Sequence, residues 1–355
     1  YGFALFQSGR SDLAAQQFTE SYRRNPLSAE SNVARAYVAV TNQDHDAARN
    51  YLRRAIELDN RRSFVYFFSG MASLGMDELV ASAGYFAKAL EIDSQHLPST
   101  YTLAYFIFTR PGDNDTAEYW LQKAEKIDPY STQVNWRRAE LLYAEGRLED
   151  YIKYIEDWVE RVPGNNLAQR WEGYVPLRRA KLAWDNEDSV AFRKYNQEAL
   201  ALNVGYIENN SPEGEDLVRQ WSSWNFLRAG MHSRLEGNDS EADKYYQAII
   251  DHHESQPEGG NNQSHLQMAI AAAGLGRNTE AIDHLKVLLA IGHTETYLLH
   301  SYYVIGDPYG VYSDINKDIG FIDVIGRMEA NNQKVLEDIR RELPQLFPDA
   351  ESSRL

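Results

Sequence analysis

The stretch AARNYLRRAIELDN, residues 47–60, sets Ala48 and Ala55 seven residues apart, puts the bulky Leu52 between them and closes on the turn former Asn60. Thirty-four residues later ASAGYFAKALEIDS, residues 81–94, carries Ser82, Phe86, Ala89 and Ser94 at the same intervals. TAEYWLQKAEKIDP, residues 116–129, repeats them as Ala117, Leu121, Ala124 and Pro129 after a step of 35. Laid upstream, the same comb selects Ala14, Phe18, Ser21 and Pro26, and laid downstream it selects Tyr151, Ile155, Trp158 and Pro163. Five successive units agree, and a period of this length marks supersecondary units that stack.

Each unit opens on an apolar-periodic segment such as SNVARAYVAV (31–40), breaks, and continues into a second such as DAARNYLRRAIELD (46–59). Apolar spacings of three and four predict two amphipathic helices per unit. The breaks SGR (8–10), NQD (42–44), RPGDND (110–115) and EGR (145–147) read as hairpin turns. In the first helix Gly2, Ala36, Gly70 and Ala139 share one point of the comb, where a small residue lets two helices approach; Tyr105 breaks this rule in the unit that carries the extra residue. In the second helix Phe18, Leu52, Phe86, Leu121 and Ile155 fill the space between neighbours. One unit buries only part of these faces, so stacking is obligatory.

This pattern resembles the tetratricopeptide repeat. The resemblance implies an all-α solenoid, a right-handed superhelix of helical hairpins, closed by a C-terminal capping helix. It is specific over residues 1–163, a regular array whose first unit is truncated. Residues 164–292 read as degenerate, elongated units, with Gly230, Gly237, Ala242 and Tyr246 in one and Ala269, Gly276, Ala281 and Leu285 in the next. Within them 167–202 has two helical patterns without a clean match to the comb, and Pro176 is expected to kink or interrupt its first helix. Residues 293–355 read as a cap segment ending in one long helix.

Because Gly2 falls about a third of the way into its unit, the start of that helix is expected upstream of Tyr1, in a longer chain. The stretch GDPYGVYSDINKDIGFIDVI, from Gly306 to Ile325, resembles the endings of repeat arrays in some bacterial signalling proteins. That resemblance implies a winged-helix or nucleotide-cyclase domain preceding the array.

Composition narrows function. The chain has 355 residues, a net charge of −16, no Cys, 23 Tyr and 7 Trp. So acidic a chain argues against a phosphate-tracking nucleic-acid surface. The absence of Cys removes disulfides, thiolate metal sites and cysteine nucleophiles. No apolar run approaches the ~18 residues that span a bilayer, so a soluble chain is expected, of the cytoplasm or periplasm with the compartment left open. The nearest thing to a metal cluster is DHHE (251–254) with His265, and adjacent His252 and His253 diverge on a helix. Neither PEGGNN nor SPEGED has the lysine and setting of a phosphate loop, and no Gly-x-Ser-x-Gly elbow occurs. No catalytic constellation, metal site or cofactor is expected.

The first helices of a solenoid line its concave side. Projecting that spacing selects Phe3, Phe6, Tyr37, Phe64, Phe67, Met71, Phe106, Trp136, Glu140 and Tyr143 as a partner-binding stripe, with Val33, Val40 and Thr102 between them. The same spacing fits a core stripe, since a shift of one position turns the rings inward; both readings stand at this level. The Lys, Arg and Asn clamp with which chaperone adaptors of the family grip a carboxyl terminus is absent at Val33, Tyr37, Phe67, Met71, Thr102 and Phe106. The expected function is a noncatalytic scaffold that binds an apolar peptide or helix of a partner protein, steered by an acidic rim toward a basic one. The alternative is the regulatory half of a signalling polypeptide. A third reading places a small-molecule or hydrolase site among Trp171, Tyr174, Trp184, Trp221 and Trp224.

Overall fold

In the computed structural model the described residues are 11–164, 173–210, 223–255, 262–292 and 315–348, and they form helices with no strand among them. The chain divides into two compact units, one comprising Tyr1–Thr109, Asp113–Val134 and Gln333–Leu355, the other Arg110–Gly112 and Asn135–Asn332. In the first unit lie α1 (Ser11–Arg24), α2 (Ala29–Thr41), α3 (His45–Leu58), α4 (Ser63–Gly75), α5 (Leu79–Ile92), α6 (Leu97–Thr102) and α7 (Asn114–Ile127). The helices of the second are α8 (Thr132–Ala144), whose first turn belongs to the first unit, α9 (Leu148–Arg161), α10 (Val175–Asp185), α11 (Ser189–Asn210), α12 (Ser223–Leu235), α13 (Asp239–Glu254), α14 (Asn262–Gly274) and α15 (Asn278–Ala290). A last helix, α16 (Ile319–Glu342), contributes to the second unit up to Asn332 and to the first from Gln333 onward.

The comb positions are the core. Ala48, Leu52 and Ala55, then Ser82, Phe86 and Ala89, then Ala117, Leu121 and Ala124 are all buried, as are Tyr151, Ile155 and Trp158. The small residues of the first helices are small for a measurable reason. A Cβ added at Gly70 would lie 2.6 Å from Phe86, and one at Gly230 would lie 2.8 Å from Tyr246. Tyr246 is wedged from both sides, because a Cβ at Gly274 would also meet its ring at 2.6 Å. The bulky residue of each second helix is thus a knob, and at Gly70, Gly230 and Gly274 the hole it enters exists because the facing helix lacks a side chain there.

The extra residue of the third full unit is absorbed without breaking the array. Leu103–Thr109 continues α6 as a π-helix, and the Thr109 hydroxyl donates to the Ala104 carbonyl at 2.8 Å. An inserted residue widens the helix locally and leaves the flanking register intact, which explains why Tyr105 occupies a point that elsewhere holds Ala or Gly.

Pro176 does not kink its helix. It sits in the first turn of α10, where a missing N–H costs nothing. From there the comb runs on: Ala180 is the small residue, and Phe192, Asn196 and Ala199 stand at the intervals that Ala48, Leu52 and Ala55 keep from Ala36. The match is hidden because the knob position holds Asn196, fully buried, whose amide donates to Glu236 Oε1 at 2.5 Å and to the His232 carbonyl at 3.4 Å. A polar side chain with partners takes the place of an apolar one.

The turns inside the hairpins share one geometry. The residue seven beyond each small residue takes a left-handed conformation: Gln43, Asp77, Glu187, Gly112, Gly146, Gly237 and Gly276. Paired backbone bonds close them, such as Gly146 N–H to the Tyr143 carbonyl and Arg147 N–H to that of Leu142. Some helix starts are capped by aspartate, as where Asp44 accepts from Ala47 N–H at 3.0 Å and Asp113 from Thr116 N–H at 3.1 Å.

Gln43 (φ 58°) and Glu187 (φ 56°) therefore hold a backbone shape that favours glycine. Gln43→Gly and Glu187→Gly should each stabilise the chain by about 0.5–1 kcal/mol, net of the entropy cost of glycine. Thermal melting checks this; unchanged or lowered midpoints would show that these turns carry no strain.

Candidate functional site

The stripe of first-helix aromatics is split by its surroundings. Phe3 and Phe6 lie outside the described residues. Tyr37 and Phe67 are buried, while Phe64, Met71, Phe106, Trp136, Glu140 and Tyr143 are half-buried. In the first unit the rings pack on one another: Tyr37 contacts Phe18 and Phe68, Phe68 contacts Phe64 at 4.6 Å between centroids, and Phe67 sits 5.8 Å from the Phe86 knob and 5.4 Å from His96. Burial also pushes the Tyr37 phenol pKa far above its usual value. Tyr37 and Phe67 thus form the floor of this stripe. Phe64, Met71 and Phe106 present partly open surface above it.

In the second unit the stripe is occupied by arginine. Arg137 lies 4.2 Å over the Trp136 ring and donates to Glu140 at 2.8 Å. Arg178 lies 3.7 Å over Tyr143 and 5.4 Å from Tyr151, and Arg228 lies 4.5 Å over Tyr174. Such stacking contributes about 0.5–2 kcal/mol per pair. Desolvation raises the Glu140 pKa despite the opposing pull of Arg137, the Trp136 indole and Arg110. Its carboxylate is engaged by Arg137 rather than forming part of an open rim.

These arginines were not selected by sequence reasoning, yet a signal exists. Arg137, Arg178 and Arg228 each stand two residues before the small residue of their first helix, at Ala139, Ala180 and Gly230, and Gln267 holds that place before Ala269. All four are buried. The periodicity search tracked apolar and small residues, so a periodic cation went unread.

The histidines do form a cluster. His265 Nδ1 and His284 Nδ1 are 3.0 Å apart, so one ring donates to the other, and His253 Nε2 lies 2.9 Å from the Gln267 carbonyl oxygen. His252 sits beside His253 with rings 5.1 Å apart. Among the described residues no three or more His, Cys, Asp or Glu are arranged to hold a metal ion. Of the aromatic set from 164 to 260, Trp171 and Trp221 lie outside the described residues; Tyr174 stacks under Arg228, Trp184 on Phe192, and Trp224 against the core of the second unit.

A family model for the tetratricopeptide repeat matches residues 3–63. The match covers the first repeats of the array. Anaphase-promoting complex subunit 3 of Schizosaccharomyces pombe is 29% identical over 137 residues, 39% of this chain and 20% of that protein. The CTR9 homologue of Arabidopsis thaliana is 31% identical over 115 residues, 31% of this chain and 10% of that one. The chain thus spans a fifth or less of the curated relatives it matches. Among solved structures, the APC/C hetero-tetramer Cut9–Hcn1 is similar with a TM-score of 0.52 at 15% identity, over 92% of this chain and 54% of that one. At that identity the likeness concerns the repeat fold. No helix among the described residues is long and apolar enough to cross a membrane. The sequence from Gly306 to Asp314 that resembles signalling-protein endings lies outside the described residues.

One buried and three half-buried histidines should make this repeat array sensitive to acid. Burial holds the His253, His265 and His284 pKa values below the ordinary imidazole value, and burial with Arg228 nearby lowers that of His232 to about 3. A depressed imidazole binds fewer protons folded than unfolded, so its contribution is complete above about pH 6.5–7 and is lost as pH falls. His232 alone should cost about 2 kcal/mol at pH 5. Urea unfolding at pH 7, 6 and 5 checks this, with His232→Gln expected to flatten the slope; a flat wild-type profile would contradict it.

Proposed function

We propose that this chain is a noncatalytic protein-interaction scaffold that holds an apolar segment of a partner, a peptide or one face of a helix, against Phe64, Met71 and Phe106 of the first unit. The observation that carries the reading is the division of the aromatic stripe. Tyr37 and Phe67 are spent on the core, and in the second unit Arg137 and Arg178 stack at 4.2 and 3.7 Å on Trp136 and Tyr143, whereas Phe64, Met71 and Phe106 are half-buried apolar side chains of the first unit, with Arg62 5.6 Å from the Phe64 ring. Aromatic anchors on preformed supports supply most of the affinity in such contacts. The tetratricopeptide repeats, and similarity over part of its length to a subunit of a multiprotein complex, support a role in assembly.

A partner with a basic rim around its apolar face fits best. The chain's −16 charge favours encounter with a cation over long range. Glu140 plays no direct part in that steering, because Arg137 holds it.

The combined Phe64→Ala, Met71→Ala and Phe106→Ala variant should retain its helical circular dichroism and melt within a few degrees of wild type. Partners recovered with the wild-type chain in quantitative affinity capture should fall by tenfold or more. Undiminished capture, or a collapse in melting, would overturn the assignment, the latter by showing that these side chains are core.

A further inference from the structure

The segment from Arg340 to Phe347, part of the first unit, contacts Phe108, Asp113 and Trp120 in the mode of a docked peptide. Past the end of α16 it turns through a 3₁₀ helix, Pro344–Leu346. The Trp120 indole N–H donates to the Leu346 carbonyl at 2.7 Å. Phe347 meets the Phe108 ring edge-on at 5.4 Å, and Arg340 covers the other side of Phe347 at 4.4 Å while lying 3.6 Å from Asp113. Asp113 is already fixed, since it caps α7 through Thr116. Leu343 reaches over Gly84, where a Cβ would stand 3.9 Å from it.

Two features separate this from the packing of the repeats. No knob enters a hole here: Leu346 is buried, but Leu343 and Phe347 are half-buried and Pro344 and Gln345 are exposed. The partners are also remote in sequence, Trp120 and Leu346 being 226 residues apart. One indole hydrogen bond to a main-chain carbonyl, one aromatic contact and one exposed ion pair, all made by a short segment, are the components of linear-motif recognition.

We propose that Phe108, Asp113 and Trp120 form a peptide-docking socket on the first unit, and that the chain's own Arg340–Phe347 segment is its resident ligand, a strap that detaches while the repeats stay folded. The recognised sequence is a basic residue, two intervening residues and then leucine-proline-x-leucine-phenylalanine, read by Asp113, the Trp120 indole and the Phe108 ring. The proposal uses none of Phe64, Met71 and Phe106, so its test and that of the proposed function change different residues.

The test uses the full chain with Leu346→Asp and Phe347→Ala, which release the strap and leave the socket unchanged, and a fluorescein-labelled synthetic peptide of residues 336–348. Fluorescence anisotropy should show the peptide binding the released chain at least tenfold more tightly than wild type, whose socket is filled, and adding Trp120→Leu should lower that binding at least tenfold. Equal binding to wild type and the released chain, or no binding to a released chain of unchanged circular dichroism, would overturn the proposal. If the released chain fails to fold, hydrogen exchange on the unaltered protein decides. The Leu346 and Phe347 amides should exchange at least tenfold faster than those in the middle of α7, and exchange of both at one common rate would make the segment integral core and end the proposal.

Discussion

The structure depends on one steric fit, a large side chain on a second helix entering the space left by a missing one on a first helix. Phe86 fills the hole at Gly70, and Tyr246 fills two, at Gly230 and Gly274. Hydrophobic burial is non-directional, so it drives helices together without choosing their spacing. A ring that clears a backbone by less than a methyl group's width does choose it. With the spacing set, the left-handed turn seven residues on and the aspartate caps place the next helix, and the array propagates.

That fit explains what could be read from the amino-acid sequence. Small and bulky residues at fixed intervals are visible in the order of residues alone, so the helical hairpins and the knob positions from Phe18 to Ile155 were legible. The unit containing Ala180 was not, because Asn196 stands at its knob and the search expected an apolar residue; the hydrogen bonds that make a buried amide acceptable come from Glu236 and His232, forty and thirty-six residues away. Pro176 was misjudged for a related reason. Whether proline breaks a helix or begins one depends on where the helix starts, and the preceding residues give no cap that marks it. The π-turn at Leu103–Thr109 announced itself only as a step of 35.

The candidate site was half legible. Helical spacing places Tyr37, Phe64, Phe67, Met71 and Phe106 along the first helices, but exposure depends on how far each ring leans toward the next unit. Phe67 reaches the Phe86 knob and is lost to solvent; Phe64 and Phe106 are not. In the second unit the stripe differs in kind, because Arg137, Arg178 and Arg228 stack on its rings. Arg62 lies over Phe64 in the first unit as well, at 5.6 Å, farther than the 3.7–4.5 Å of those stacks. The functional reading rests on the half-buried apolar side chains of the first unit, and the acidic character of the whole chain adds direction without adding a specific contact.

The direct test of the central steric claim is a double-mutant cycle on Gly230 and Tyr246, with Gly230→Ala, Tyr246→Leu and both together, measured by urea unfolding. Gly230→Ala alone should destabilise by about 1–3 kcal/mol, as overpacking does. In the Tyr246→Leu background most of that cost should vanish, a coupling of about 1 kcal/mol or more. Effects that add within about 0.5 kcal/mol would mean that the knob does not sense the glycine, and that something other than this fit sets the spacing of the repeats.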